Sequence, residues 1–304
     1  KKNLERSGIC WIRLIKKLKK RGKILNLPQA SPGPLAGNYG MLKSYLPLKK
    51  QLSLKNKMRI FPLIQSKTML LYNNFFPADV AALTSDRAVD FQLDKTQCSL
   101  SDAQKEFLSS QLNISLPEPV IIRQVHGNRI IVADKNFPQR GSVLEEADGL
   151  ITQEPYLPLT VRTADCLPVF LYDQQRKGIG LIHAGWRGVQ KNIVGRAVGL
   201  MREQWRSDPK NIKAAFGPSI RGCCYEVGKE FEDYFPGQLI SRESRCYLDL
   251  FQVCYAQLMD SGVKKGNISD CGVCTCCDQN YFSFRREGQL AGRMISLIML
   301  KEQL

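Results

Sequence analysis

The chain has 304 residues, of which 43% are hydrophobic and 24% are charged. These proportions indicate a globular protein with a sizeable core and exclude a disordered or low-complexity chain. The net charge of +16 suggests a nucleic-acid-binding protein, but its distribution argues against one for most of the chain. Residues 1–58 carry 15 Lys and Arg against one acidic residue, whereas residues 59–304 carry 29 against 27.

The basic charge therefore belongs to the segment 1–58, which does not open with Met. Its apolar residues Trp11, Leu14, Ile15 and Leu18 share one helical face among lysines, a pattern of membrane-surface helices and basic targeting arms. The alternative, which we favour, is a mis-started reading frame with Met58 or Met69 as the natural start. We expect a disordered extension over 1–58 that contributes nothing to chemistry, and a single catalytic domain over 59–304.

Strand and helix patterns are readable from residue 119 onward. A helical period covers 188–205, and a second helix is predicted over 247–263, closed by Gly262. The segment 293–300 is predicted as a buried strand or helix. Strand-like runs cover 119–125, 128–134, 147–152, 157–163, 168–173, 178–184 and 212–217. Clustered strands with a few helices between them predict a mixed α/β domain.

The runs 168–173 and 178–184 flank a loop of hairpin length. If residue 173 pairs with residue 178, then residue 168 pairs with His183. Cys166 would then lie about 7 Å along the strand from the partner of His183, at about 3.4 Å per residue. His126, the other of the two histidines, occupies a turn in "QVHG".

Three interpretations of Cys166, His126 and His183 follow from their residue types. They are ordinary packing residues, or a cysteine nucleophile with one histidine as its base, or metal ligands. Two imidazoles and one thiolate form a three-ligand set with a fourth position open, as in catalytic zinc sites. Both histidines adjoin glycines at the ends of strand-like runs, which favours a site over simple packing.

Other polar residues have a functional and a structural interpretation. Arg187 precedes a predicted helix, where a guanidinium suits phosphate, or it stacks on Trp186. Asp148 is interpreted as a turn-capping carboxylate. One of Arg285 and Arg286 could reach an anion, but we expect both side chains to be exposed to solvent. The cysteines of "CGVCTCC" are interpreted as structural or incidental thiols, with structural zinc or an iron–sulfur centre as the alternative; these are Cys271, Cys274, Cys276 and Cys277. Cys223 and Cys224 of "GCCYE" are also interpreted as structural or incidental, because adjacent cysteines rarely both serve one metal well.

Seven segments occur together and in an order that resembles the YfiH-like family, long labelled polyphenol oxidase or laccase-domain proteins. They are "QVHG", "ADGLIT", "TADCLPV", "IGLIHAGWRG", "AAFGPSIRGCCYEVG", the Cys274-Thr275 pair and "YFSFRREGQLAGR". The resemblance covers roughly residues 119–293. It implies a single α/β domain, distantly like the catalytic domain of cytotoxic necrotizing factors.

The resemblance also implies a function. It implies a zinc ion, in preference to copper, bound by His126, Cys166 and His183. It implies phosphorolysis of adenosine, inosine and methylthioadenosine, with adenosine deamination beside it. The lack of a visible export signal and the odd count of 11 cysteines predict a cytoplasmic protein. The nearly neutral charge of residues 59–304 predicts that the domain has no nucleic-acid partner. Some members are linked instead to editing of peptidoglycan precursors, which a cysteine hydrolase would perform.

The expected roles of the remaining site residues follow from the chemistry of phosphorolysis. Arg187 is the candidate for neutralising phosphate, and Asp165 or a water molecule is the candidate proton donor to the departing purine. The family's usual early motif is absent, and only Arg87 of "LTSDRAVDFQ" could stand for its arginine in substrate binding.

Overall fold

The computed structural model describes residues 64–66, 69–93, 99–137 and 144–301. The expected extension over 1–58 lies outside the described residues. All described residues fall within one compact unit, Lys49–Leu304.

The described strands, in chain order, are β1 Ile64–Ser66, β2 Met69–Leu71, β3 Val80–Ser85, β4 Ile130–Val132, β5 Gly149–Thr152, β6 Leu159–Thr163, β7 Leu167–Asp173, β8 Gly178–Ala184, β9 Ile212–Phe216, β10 Glu226–Val227, β11 Ile240–Arg242, β12 Arg245–Tyr247, β13 Ile268–Asp270 and β14 Met294–Leu300. The described α-helices are α1 Asp102–Leu112, α2 Trp186–Gln190, α3 Ile193–Trp205, α4 Phe231–Tyr234, α5 Leu250–Asp260 and α6 Phe284–Glu287. None of these helices is both long and apolar enough to cross a bilayer.

The strands form three sheets. A five-stranded sheet has the order β1-β2-β3-β14-β6, and a six-stranded sheet has the order β13-β9-β7-β8-β5-β4. A small third sheet has the order β10-β12-β11. The six-stranded sheet is mixed, because β13 pairs with β9 and β4 with β5 in parallel while the other pairs are antiparallel. The prediction of a mixed α/β fold is confirmed.

Three apolar layers hold the two large sheets and the helices together. One lies between the sheets, where Phe170 of the six-stranded sheet and Ile298 of the five-stranded sheet belong to the same buried cluster. A second packs the six-stranded sheet against α3 and α5, and a third packs the five-stranded sheet against α1. Both faces of each large sheet are thus covered. This explains why β7 and β14 are apolar on both faces, apart from Asp173 and Ser296, instead of alternating.

The predicted hairpin is confirmed in its register, with Asp173 opposite Gly178 and Pro168 opposite His183. The helix predicted over 247–263 is confirmed as α5, and Gly262 follows it with φ +94°. The segment 293–300 is the strand β14.

Two predictions were wrong in detail. The single helix over 188–205 is two helices, because Asn192 adopts φ 55° and caps α3 by accepting a hydrogen bond from the Gly195 amide at 3.2 Å. The run 119–125 forms no regular strand. It makes two isolated bridges instead. One joins Val120 to Leu159 of β6 in the five-stranded sheet, and the other joins Arg123 to Glu146, which precedes β5 of the six-stranded sheet.

Candidate metal centre

The β7–β8 hairpin positions two of the candidate residues. His183 is the penultimate residue of β8, and its side chain is buried. Cys166 directly precedes β7, two residues before the partner of His183. The hairpin register therefore brings a thiol and an imidazole to one end of the six-stranded sheet.

His126 reaches the same point from the turn before β4. Its backbone is left-handed, with φ 59°, and its side chain is exposed. Its ring lies 4.9 Å from the ring of His183, centroid to centroid, with an interplanar angle of 80°. The ligand atoms of His126, Cys166 and His183 all lie within 4.8 Å of one another. The three predicted ligands therefore converge on one point.

The carboxylate of Asp148 fixes both histidines. Its Oδ1 lies 2.7 Å from Nδ1 of His183 and accepts the His126 amide at 2.9 Å. Its Oδ2 accepts the amides of Gly127 at 2.6 Å and Val125 at 3.3 Å. A carboxylate on Nδ1 leaves Nε2 of His183 as the free ligand atom, which is the usual outer-shell arrangement at a histidine–metal site. The turn-capping interpretation of Asp148 was therefore incomplete, because the same carboxylate also orients the buried histidine.

The protonation equilibria of this group are shifted by their mutual charges. Burial raises the pKa of the Cys166 thiol, but the charges and hydrogen bonds of His183 and His126 lower it more, to about 6. Burial lowers the pKa of His183, and the Cys166 thiolate and Asp148 raise it to about 9. Both shifts favour a thiolate on Cys166 and a proton on His183, and the thiolate is the form of cysteine that ligates metals and attacks electrophiles.

Two glycines of "HAGWRG" are required by the closeness of these groups. A Cβ at Gly185 would lie 2.9 Å from a carbon of the His126 ring and 3.3 Å from the Cys166 sulfur. A Cβ at Gly188 would lie 2.5 Å from the backbone carbonyl oxygen of Gly127, a distance that no side chain tolerates. Both glycines thus allow α2 to pack against the turn that carries His126.

The three residues open onto a cavity of about 780 Å³. Aromatic side chains of Trp186, Tyr225 and Phe284 line it, as suits a ligand with a flat apolar ring. Four arginines also line it, at positions 123, 162, 285 and 293.

Two of these arginines form a positive pair. Arg162 lies on β6 and Arg293 immediately precedes β14, and the antiparallel pairing of these strands brings them together. Burial and the neighbouring charge of Arg293 lower the pKa of Arg162 to about 10. Within the described part of the chain, neither guanidinium makes an ion pair with a carboxylate. Both donate hydrogen bonds to backbone carbonyl oxygens, Arg162 Nη2 to Ile122 at 3.2 Å and Arg293 Nη1 to Ala291 at 2.5 Å. Their charge, which no carboxylate of the described residues neutralises, is available to an anionic ligand in the cavity.

The sequence matches that of the multi-copper polyphenol oxidoreductase laccase family over residues 97–301, about two thirds of the chain. The chain belongs to this family.

Relatives of this laccase-family chain have other names. It is 32% identical over 212 residues to purine nucleoside phosphorylase YlmD of Bacillus subtilis, covering 65% of this chain and 76% of the relative. It is 33% identical over 209 residues to adenosine deaminase RL5 of an unknown prokaryotic organism, covering 64% and 79%. The crystal structure of YfiH from Bacillus licheniformis matches with a TM-score of 0.70 and 27% identity, over 79% of this chain and 99% of that one. The predicted resemblance to YfiH-like proteins is thus confirmed.

The remaining predicted site residues occupy different places in the laccase-family fold. Arg87 lies outside the cavity lining, where it pairs with Glu287 at 3.0 Å and stacks on Phe282. Arg187 is exposed on Trp186, with its guanidinium 4.3 Å from the ring centroid, and does not line the cavity either. The roles predicted for both arginines in binding the substrate stay predictions, and the geometry favours Arg162 and Arg293 instead.

Asp165 lines the cavity beside Cys166, but its side chain is engaged elsewhere. Its two oxygens accept hydrogen bonds from Thr275 Oγ1 and from the Arg285 amide, both at 2.6 Å. Its backbone has φ 88°, and its carbonyl accepts the Ile220 amide. These contacts tie the Cys166 turn to two other loops, so the structure supports a positioning role, and the proton-donor role stays a prediction.

Proposed function

We propose that this chain is a zinc-dependent purine nucleoside phosphorylase, acting on adenosine, inosine and methylthioadenosine, that also deaminates adenosine. The observation that carries the proposal is the convergence of His126, Cys166 and His183 on a cavity that is also lined by two arginines without a carboxylate partner among the described residues. The relatives named as purine nucleoside phosphorylases and as an adenosine deaminase support the same reaction classes.

The donor set fits zinc. Two imidazoles and a thiolate satisfy a borderline-soft ion and leave a position for a reactant. Copper redox sites with the same three donors usually add a weak axial methionine or glutamine. No methionine of the described chain lines the cavity, and both ends of the Gln124 amide are hydrogen-bonded to the backbone of Arg162. We therefore propose zinc over copper, and elemental analysis distinguishes them.

Phosphorolysis requires phosphate to approach C1′ of the ribose while the purine leaves. A phosphate oxygen forms the new C–O bond, the C1′–N9 bond breaks, and a proton is delivered to the departing base. We assign Arg162 and Arg293 to holding phosphate, because paired guanidiniums bind its oxygens through charge-assisted hydrogen bonds. Trp186 lines the cavity, and we assign its ring to an apolar contact with the purine. When bound, zinc supplies Lewis acidity at the open position.

Tyr225 is a proton donor that the sequence did not indicate. It lines the cavity, and its ring lies 5.3 Å from the guanidinium of Arg285. Burial, the largest influence, raises the pKa of Tyr225, and the Cys166 thiolate raises it further. The phenol is therefore protonated at neutral pH and can donate a hydrogen bond to the leaving base, although the raised pKa makes it a weak acid.

The test is incubation of the purified chain with adenosine or inosine, with and without phosphate, followed by chromatography. Phosphorolysis gives the free base and ribose 1-phosphate only when phosphate is present, and deamination gives inosine from adenosine without it. His183→Ala should lose both activities together with the metal. Product formation by the metal-free chain would contradict the proposal.

The thiolate–imidazolium pair favours one second candidate, a cysteine hydrolase acting on peptidoglycan precursors with Cys166 as nucleophile and His183 or His126 as base. The two candidates differ in how Cys166 responds to alkylation. A ligand thiolate is protected until a chelator removes the metal, whereas a nucleophile reacts with loss of activity while the metal stays bound. Rapid alkylation of the metal-loaded chain would favour the hydrolase.

Two further proposals concern the setting of the enzyme. We propose that it works in the cytoplasm, and the nine described cysteines, all of them free thiols, support this because a reducing compartment keeps thiols unpaired. We also propose that residues 59–304 suffice for activity, since the described strands begin at Ile64.

A further inference from the structure

A second group of metal-binding side chains lies on two loops that follow parallel strands. One loop follows β9 and the other follows β13, and parallel pairing brings the ends of these strands to the same edge of the sheet. The loops then run side by side, because the Ser219 amide donates to the Val273 carbonyl and the Thr275 amide donates to the Ser219 carbonyl, at 3.3 and 3.1 Å. Each loop carries two cysteines at this contact.

The four thiols are close enough to share one ion. The Sγ atoms of Cys223, Cys224, Cys274 and Cys277 all lie within 4.8 Å of one another. Cys277 lies 3.2 Å from Cys224 and 3.6 Å from Cys223, sulfur to sulfur. Zinc–sulfur bonds of about 2.3 Å in a tetrahedron put neighbouring sulfurs about 3.8 Å apart. The two sulfur–sulfur distances of Cys277 are slightly shorter than this, so small outward shifts of the thiols would complete the tetrahedron.

Cys274 and Cys277 also have the local structure of a metal-binding turn. They are the ends of a C-x2-C sequence whose turn is closed by the Asp278 amide donating to the Cys274 carbonyl at 2.9 Å. Arg286 Nη1 braces the turn by donating to the carbonyls of Thr275 at 2.8 Å and Cys276 at 3.2 Å. Such outer hydrogen bonds hold ligands in place and add positive charge near the thiolates.

We propose that Cys223, Cys224, Cys274 and Cys277 bind a structural zinc ion, separate from the ion proposed at His126, Cys166 and His183. Four thiolates complete a tetrahedron without an open position, which is the arrangement of structural zinc. Binding releases the thiol protons and leaves a tetrathiolate complex of net charge −2.

The ion would clamp two loops that reach the cavity. The first loop continues to Tyr225, and the second supplies Thr275, which donates to Asp165 next to Cys166. The cluster itself does not line the cavity. Its zinc would therefore stabilise the cavity wall without touching a substrate.

The experiment counts metal in the full chain by elemental analysis. We expect two zinc ions per wild-type chain and one in Cys277→Ser. The matched control is Cys276→Ser, which changes the neighbouring cysteine outside the cluster and should keep two. His183→Ala should keep one, so this count does not depend on the proposed enzyme activity.

A second measurement covers the case in which the serine variant fails to fold. Replacing zinc by cobalt in His183→Ala should produce the strong thiolate-to-cobalt charge-transfer absorption of a sulfur-only site. A wild-type chain with one zinc ion that His183→Ala removes entirely would overturn the proposal. So would a wild-type mass lower by two hydrogens that maps to a disulfide between Cys224 and Cys277.

Discussion

Asp148→Asn tests whether the buried carboxylate organises the metal centre. The carboxylate accepts from four donors, His183 Nδ1 and three backbone amides, with two donors on each oxygen. An asparagine has only one oxygen, so in either orientation of the amide its NH2 group would face two N–H donors in place of an acceptor. Leaving buried donors without an acceptor costs about 1–3 kcal/mol. The variant also loses the charge that fixes the tautomer of His183.

We expect Asp148→Asn to bind zinc about 10–100-fold more weakly, because loss of an outer-shell partner has that effect at histidine–metal sites. This corresponds to about 1.4–2.8 kcal/mol of binding free energy. The free energy of unfolding of the metal-free chain should fall by about 1–3 kcal/mol. Competition with a chromogenic chelator measures the first quantity, and denaturant unfolding measures the second.

Asp173→Asn is the matched control for this experiment. Asp173 is also buried, at the other end of the same hairpin, where Oδ1 accepts the amides of Gln175 and Arg176. Its Oδ2 has no partner among the described residues, so an amide nitrogen can replace it without opposing a donor. Zinc affinity in this variant should equal that of wild type. Wild-type affinity in Asp148→Asn, or an equal loss in both variants, would refute the reasoning.

The other predictions address packing, the proposed chemistry and the basic segment. Gly188→Ala should destabilise the fold by about 1–3 kcal/mol, since its Cβ would press on a backbone carbonyl, whereas Gly199→Ala in α3 meets nothing and should stabilise it by about 0.4–1 kcal/mol in thermal unfolding. Tyr225→Phe should lower kcat of phosphorolysis about 100-fold and leave zinc content unchanged. Arg293→Gln should raise KM for phosphate about 10-fold, with KM for the nucleoside little changed. A chain beginning at Met58 should keep both zinc and nucleoside turnover.

Control variants distinguish these predicted effects from a general loss of folding, and each prediction has a result that would contradict it. Arg87→Gln changes an arginine outside the cavity lining and should leave KM for phosphate unaltered. If it raised KM as much as Arg293→Gln does, the phosphate assignment would be wrong. Unchanged turnover in Tyr225→Phe would return the proton-donor role to Asp165 or water. Loss of turnover without loss of zinc in the shortened chain would show that residues 1–58 contribute to activity.

The sequence predicted the hairpin because its signals are local. A short loop between two apolar runs permits few registers, and the one expected, with residue 168 opposite His183, is the one present. The break at Asn192 was missed because the apolar period of 188–205 continues through it. The break between α2 and α3 comes from the left-handed backbone of Asn192, whose side chain caps α3 by accepting from the Gly195 amide.

The candidate site was also predicted only in part from the sequence. Cys166 and the two histidines were identified by their rarity and their motifs, whereas Arg162 and Arg293 are ordinary arginines until β6 and β14 pair. Structural zinc was an alternative for the cysteines of "CGVCTCC", but their combination with Cys223 and Cys224 was missed for a related reason. Its two halves are about fifty residues apart, and only the parallel pairing of β9 and β13 shows that Cys223 and Cys277 belong together.

The place of β14 in the five-stranded sheet has a consequence for biosynthesis. β14 lies between β3 and β6, and Ser296 hydrogen-bonds to Thr84 across 212 residues of sequence. During translation, the edges of β3 and β6 that pair with β14 stay unpaired until residues 294–300 have been synthesised. Exposed strand edges of this kind promote aggregation. Contacts this distant in sequence also slow folding. The nascent protein should therefore depend on chaperones more than one whose strands pair in order, and a frameshift just before residue 294 should abolish the soluble product.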